Sequence, residues 1–412
     1  MLTKQDKTNL RGELFRHLDG IVSAPVAYAL VKRKVTDYLL KKGTVKLSDA
    51  AGEFNANEGY LNIGLRVLSA QGWLDQEIDN ASGDVSYSTN GKSEKAFALF
   101  PKYESIVRFM DCTDEFKAKR FQSEPFNQLR SIQRELTSGK LFDKPSDNIS
   151  HELQEQMIKH IEGILVGPTA VALGMSGMFH KYFMETSFRP EEFHRDHENF
   201  KILLDLYTFL GWFKEKNGTY RFTDKGLFFA KRASAYGVTV SYIPTFRRVE
   251  ELIFGNPKVL WEKPDNADEL HVDREMNVWG SGGAHSTYFK KIDEVIIDLF
   301  NKPIHQQPKG IVDMGCGNGA FLEHIFNVIE RQTKRGEMLE EHPLFLVGAD
   351  FNQAALRVTR ANLIQADIWA KVIWGDIGRP DILAKDLEED YGIQLEDLLN
   401  VRTFLDHNRV WD

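Results

Sequence analysis

In the first 250 residues apolar positions fall at helical spacing in two places, and the two places match. "GIVSAPVAYAL", Gly20 to Leu30, returns as "GILVGPTAVAL", Gly163 to Leu173, with the glycine and the proline of the second copy each 143 positions after those of the first. Each is followed by an amphipathic helical pattern, then by a second one that ends in Gly-Trp: "LRVLSAQGWL" at Leu65 to Leu74 and "LLDLYTFLGWF" at Leu203 to Phe213. A short polar turn and an alternating segment come next, "DVSYSTNG" in the first copy and "GTYRFTDKG" in the second. The simplest account is internal duplication of a unit made of a helix, a helix-turn-helix and a β-hairpin, a winged-helix-like arrangement. Trp73 and Trp212 are expected to pack each wing on the last helix, so the Gly-Pro and Gly-Trp positions read as packing and capping devices rather than chemistry.

A polar connector, "TSGKLFDKPSDNIS" from Thr137 to Ser150, separates the copies, and "FGNPKVLWEKPDNADEL" from Phe254 to Leu270 marks a second break. These breaks predict three domains: a first winged-helix-like unit over 1–140, its repeat over 141–250, and a last domain over 251–412. A chain of 412 residues is too long for one ordinary core and agrees with that division.

Composition narrows the class. Hydrophobic residues at 42% and charged residues at 27% describe a soluble globular protein, and no apolar run approaches the ~20 residues of a membrane span. With two cysteines, Cys112 and Cys316, there is no disulfide framework and no zinc cluster, so a reducing, cytoplasmic location is expected. A formal net charge of −8 argues against a general nucleic-acid binder, and neither a membrane nor nucleic acid is expected as partner.

In the last third the apolar positions form short unbroken runs, which read as buried strands of a parallel sheet. "KGIVDMGCGNGAFLEHIFNVIE" predicts a strand at Ile311 to Asp313, a glycine turn, and a helix entered at about Ala320. Gly315, Gly317 and Gly319 let the backbone turn sharply and approach a ligand, and the free N–H groups at the helix start form an anion site. The same spacing satisfies a loose dinucleotide fingerprint. Asp313 decides against it: a carboxylate two residues before the first glycine would repel a pyrophosphate, whereas S-adenosylmethionine (SAM) carries no phosphate and presents an ammonium, a sulfonium and a carboxylate.

Two more acids follow in step. "LFLVGADFNQAALRVTRANL" gives a second strand ending in Asp350, whose two carboxylate oxygens suit the two adjacent hydroxyls of a ribose. "AKVIWGDIG" gives a third, with Asp376 placed to accept from an adenine amine. Cys316, inside the turn, reads as a small residue tolerated there and not as a nucleophile.

The stretches "HVDREMNVWGSGGAHSTYF", "VDMGCGNG", "GADFN", "GDIGRP" and "VRTFLDHNR" resemble the N-terminal methyltransferase of loading modules in cyanobacterial polyketide synthases, of the apratoxin and saxitoxin starter type. The resemblance implies a class I SAM methyltransferase with a Rossmann-like α/β sheet preceded by two mainly helical winged-helix-like units. It also implies methylation of the α-carbon of a malonyl group on an acyl carrier protein, with SAM and a bound iron or manganese ion. An acetyltransferase-like domain is expected to follow in the parent synthase. On this reading the chain ends at the fourth strand, and further strands, with some of the metal ligands, are expected beyond Asp412.

A metal held by the thioester carbonyl and the carboxylate of malonyl would draw off enolate charge and discourage decarboxylation. Candidates for such a site are Asp406 and His407 at the end of the fourth strand, His407 being the candidate metal ligand, and His285 in "GSGGAHSTYF". Ser281 in the same stretch joins Asp313, the three glycines, Asp350 and Asp376 as a candidate SAM contact. Two other classes stand beside this one: a small-molecule O-methyltransferase with winged-helix dimerisation, and a SAM-responsive DNA-binding regulator.

Overall fold

A computed structural model describes residues 2–117, 123–260 and 269–403, with only the backbone given for 117, 123 and 283–287. The chain divides into two compact units, Met1–Asp273 and Arg274–Asp412. The sequence suggests three domains, with the last starting near 251, whereas the contacts gather both repeats into one unit that runs to Asp273.

The reason lies in two long helices, Lys4–Lys32 and Asn148–Met175, which carry the repeated Gly-Pro segments. Each is started by a side-chain cap: the Thr3 hydroxyl accepts from Asp6 N–H, and the Asp147 carboxylate accepts from Ser150 N–H. The helices cross at their glycines. A Cβ added to Gly20 would stand 2.2 Å from Cα of His160, and one added to Gly163 would stand 2.2 Å from the carbonyl oxygen of His17. The helix backbones can approach so closely because, at each of these contacts, the residue facing the partner backbone is a glycine without a Cβ.

His17 and His160 are themselves 143 positions apart, and each reaches into the other repeat. His17 Nδ1 shares a hydrogen bond of 2.8 Å with the Tyr236 hydroxyl, and its ring stacks on Phe229. His160 Nδ1 shares one of 2.7 Å with the Tyr103 hydroxyl, and its ring packs edge-on to Trp73. The leading helix of each repeat therefore fills the core of the other, and neither repeat closes a core by itself.

The wings are antiparallel. Strands β1 (Thr44–Lys46), β2 (Asp75–Ile78) and β3 (Val85–Ser88) form a sheet in the order β1-β3-β2, and β4 (Phe213–Lys216) pairs with β5 (Thr219–Phe222). Gly72 and Gly211, at φ 76° and 79°, make the left-handed turn out of the preceding helices. Trp212 lies between Tyr207 of helix His197–Phe209 and Phe229, with ring centroids 4.6 and 4.7 Å away, as the sequence leads one to expect for the last helix. Trp73 turns instead toward Phe100 and the second repeat's His160, and its indole N–H donates to Gln156 at 3.1 Å.

In the second unit four parallel strands, β6 (Gly310–Met314), β7 (Phe345–Asp350), β8 (Lys371–Trp374) and β9 (Leu398–Val401), lie in the order β8-β7-β6-β9. Every residue of β6 is buried, which is why its apolar run does not alternate. One face packs Ile311 and Leu346 against Phe321, Leu322 and Ile325 of helix Ala320–Gln332; the other packs Val312, Met314, Val347 and Ala349 against Leu383 and Leu387 of helix Pro380–Tyr391. The insertion before β7 is closed by Arg335, whose buried guanidinium donates to the carbonyls of His342 and Pro343 and to the side chain of Gln307. Among the described residues no helix is long and apolar enough to cross a membrane.

Candidate functional site

The parallel register brings the carboxyl ends of β6, β7 and β8 side by side, where ligands of open α/β sheets bind. Asp313 is the penultimate residue of β6, Asp350 ends β7, and Asp376 follows β8 by two residues. Gly315, Gly317 and Gly319 all adopt positive φ, at 84°, 58° and 77°, so the turn between β6 and its helix needs residues without a Cβ. The N–H groups of Gly315 and Cys316 both donate to the carbonyl of Ala349, which hangs the start of the turn from β7.

Asp350 is tied into the same turn. Its Oδ2 accepts from Gly317 N–H at 3.1 Å and its Oδ1 from Asn352 N–H at 2.9 Å. Asp376 accepts from Gly378 N–H at 2.7 Å, and Gly375 N–H donates to the Asp350 carbonyl, so the ends of β7 and β8 are joined.

Asp313 is 2% exposed and its Oδ1 has no hydrogen-bond partner. Burial, and then the neighbouring charge of Asp350, push its carboxyl up to about 7. A buried acid in this state is a receptor for a cationic or hydrogen-bonding group, because an unmet polar atom in the interior is costly.

Ser281 lies half-buried on helix Arg274–Phe289, and its hydroxyl donates to the Val278 carbonyl. The next residue brings that helix to the turn: a Cβ on Gly282 would collide with the Asn318 side chain at 2.0 Å. The side chain of His285 lies outside the described part of the structure, and so do Asp406 and His407. The geometry assembles Asp313, Gly315, Gly317, Gly319, Asp350 and Asp376 and puts Ser281 one residue from the contact with the turn.

Two aromatic residues escaped the sequence reading. Phe351, 65% exposed, follows Asp350 directly, and Trp374, 37% exposed, closes β8; their rings lie 5.7 Å apart. Large exposed rings beside two acceptors suit the flat face of a base. Their signal in the sequence is an aromatic residue within two positions of each of these two acids.

Among the described residues one group of three ligand-type side chains lies close enough to share an ion: Glu13, His17 and Glu162, in the first unit. It does not fit a metal centre. Lys159 Nζ stands 2.5 Å from Glu162 and 3.3 Å from Glu13, and Lys225 Nζ stands 2.8 Å from Glu13. Burial pushes the Glu13 carboxyl up, but the Lys225 hydrogen bond and the Lys159 charge outweigh it and hold the group below its ordinary value. Two ammonium groups already balance the two carboxylates, and a dication would leave buried net positive charge.

Residues 10–76 match the family described as "AprA N-terminal domain", residues 162–256 the "AprA winged helix domain", and residues 269–412 the "AprA MT2-like domain" of a methyltransferase family. Among curated proteins no sequence matches the chain. Two solved structures overlap it weakly. One is PigF with SAH, at 12% identity and TM-score 0.26, covering 54% of this chain and 66% of that one. The other is CalO1, a methyltransferase in calicheamicin biosynthesis in its SAH-bound form, at 18% identity and TM-score 0.23, covering 56% and 67%. The chain thus spans about two thirds of the length of these two structures. The chain carries segments similar to AprA-type N-terminal, winged-helix and MT2-like methyltransferase domains, in that order.

Proposed function

We propose that the second unit binds SAM across the ends of β6, β7 and β8 and transfers its methyl group to the α-carbon of a malonyl group on an acyl carrier protein, in polyketide starter-unit biosynthesis. The observation that carries the cofactor is the set of three strand-end acids around a turn of three left-handed glycines. Asp313 would face the ammonium end of SAM, Asp350 the ribose hydroxyls, Asp376 the adenine amine, and Phe351 with Trp374 the adenine face. The malonyl substrate is supported by the order of AprA-type domains and by the sequence resemblance to starter-module methyltransferases.

In the transfer a base takes the α-proton of the malonyl thioester, the carbanion forms a bond to the sulfonium methyl, and the carbon–sulfur bond breaks to leave S-adenosylhomocysteine. Iron or manganese assistance is part of the resemblance. Among the described residues the one group of three ligand-type side chains is balanced by lysines and does not fit such an ion.

The test is mass spectrometry of malonyl carrier protein incubated with the protein and SAM, with and without iron or manganese and with a chelator. A gain of one methyl mass on the carrier is expected. Transfer to no carrier-bound malonyl group, in an enzyme that binds SAM, would remove the substrate from the proposal.

A further inference from the structure

We infer that Thr359 and Asn362 are positioning residues for the cofactor: from one face of the helix Gln353–Gln365 they clamp the glycine turn in its ligand-binding shape. The inference rests on the SAM reading above. The Thr359 hydroxyl donates to the carbonyl of Gly317 at 2.9 Å, and the Asn362 side-chain amide donates to the carbonyl of Asn318 at 2.9 Å. The two side chains stand three residues apart and so project from the same side of the helix.

The clamp decides where the turn's amide groups point. A peptide unit is planar and trans, so pinning the Gly317 carbonyl toward the helix turns the N–H of Asn318 to the opposite side. Pinning the Asn318 carbonyl sets the next peptide, whose Gly319 N–H closes the turn on the Cys316 carbonyl at 2.8 Å. Glycines have the widest conformational freedom of any residue, and a turn with three of them needs outside restraint to keep one shape.

Thr359 is built into the place. It is fully buried, and its methyl fills the space that a Cβ on Gly319 would need, at 2.9 Å. Its hydroxyl also lies 3.4 Å from Cys316 Sγ. Since the hydroxyl proton is committed to Gly317, the thiol is the donor, giving a relay from Cys316 through Thr359 to Gly317. Burial, and then Asp313, push the Cys316 thiol well up, which keeps it protonated and able to donate.

The same helix begins just after the ribose acid. Asn352 caps it by accepting from Ala354 N–H, and Asn352 N–H donates to Asp350. Acid, cap and clamp are thus one piece of chain, so that the turn and the ribose site keep a fixed relation.

The experiment uses the whole chain and two readouts. Thr359→Val keeps the shape and loses the donor; Thr359→Ser keeps the donor and loses the methyl; Asn362→Asp keeps the shape and loses the donating amide. By calorimetry SAM should bind about tenfold more weakly to T359V and N362D, and within about twofold of the parent to T359S, the size of one lost buried hydrogen bond. By hydrogen exchange, amides at 316–320 should exchange faster in T359V and N362D, with the rest of the unit unchanged. Unaltered exchange at 316–320 in both, or a T359S variant as impaired as T359V, would overturn the clamp. A parent chain that binds no SAM would instead strike the function proposed above, with the exchange measurement still deciding the clamp.

Discussion

Gly20 lies against the backbone of His160 so closely that a Cβ there would stand 2.2 Å from His160 Cα, and Gly163 meets His17 in the same way. Backbone cannot move aside as a flexible side chain can, so Gly20→Ala and Gly163→Ala should each destabilise the first unit by about 3 kcal/mol, at the upper end of overpacking costs. Both clashes are relieved by the same separation of the helices. The double variant should therefore lose less than the sum of the two, measured by urea unfolding followed through the tryptophans. Full additivity would mean that the two contacts are independent.

The His160 ring is buried, its Nε2 has no partner, and desolvation brings its pKa down from 6.5 to about 3. A histidine depressed in the folded state stays neutral there while the unfolded chain takes up a proton below 6.5. Its contribution is complete above pH 6.5 and is lost as pH falls toward 3, by up to about 5 kcal/mol at ~1.4 kcal/mol per pH unit. Unfolding free energy of the first unit should drop between pH 6.5 and 4.5, and the drop should be shallower in His160→Gln. Equal slopes in the two proteins would assign the loss to other groups.

Asp313 has the opposite sign. Its carboxyl is raised from 3.8 to about 7, so the stability linked to it is present below 3.8 and is lost as pH rises through 7. Asp313→Asn should raise the unfolding free energy of the ligand-free second unit at pH 8, by an amount of order 1–4 kcal/mol, and leave it little changed at pH 5. The same variant should bind SAM more weakly, since an amide offers no negative charge to an ammonium. A variant no more stable at pH 8 than the parent would show that Asp313 is not charged and strained there.

Phe351 and Trp374 are exposed rings beside Asp350 and Asp376. Phe351→Ala and Trp374→Ala should each weaken SAM binding by about 1 kcal/mol, roughly fivefold, with little effect on melting because neither ring is part of the core. Asp350→Ala should cost more, about 1–3 kcal/mol, since it leaves two ribose hydroxyls unmet. Calorimetry on the four proteins ranks them; an order with Phe351→Ala weakest of all would move the ribose away from Asp350.

By itself the sequence determined what short-range physics can carry. A buried parallel strand is a run of apolar residues and a left-handed turn needs glycine, so β6, β7 and β8, the glycine turn and the place of Asp313, Asp350 and Asp376 near the strand ends are all legible from local pattern. The 143-residue repeat is legible for the same reason, being a comparison of two local patterns. Tertiary structure alone decided that the repeats interlock, because the bond from His17 to Tyr236 and that from Tyr103 to His160 join residues 219 and 57 positions apart, and no periodicity records such a pairing. It also decided that Glu13, His17 and Glu162 are closed by lysines, and that Thr359 and Asn362, which look like ordinary polar positions of a helix, hold the turn. A side chain's partner and its protonation depend on distance in space and on exclusion of water, and those are set only when the chain has folded.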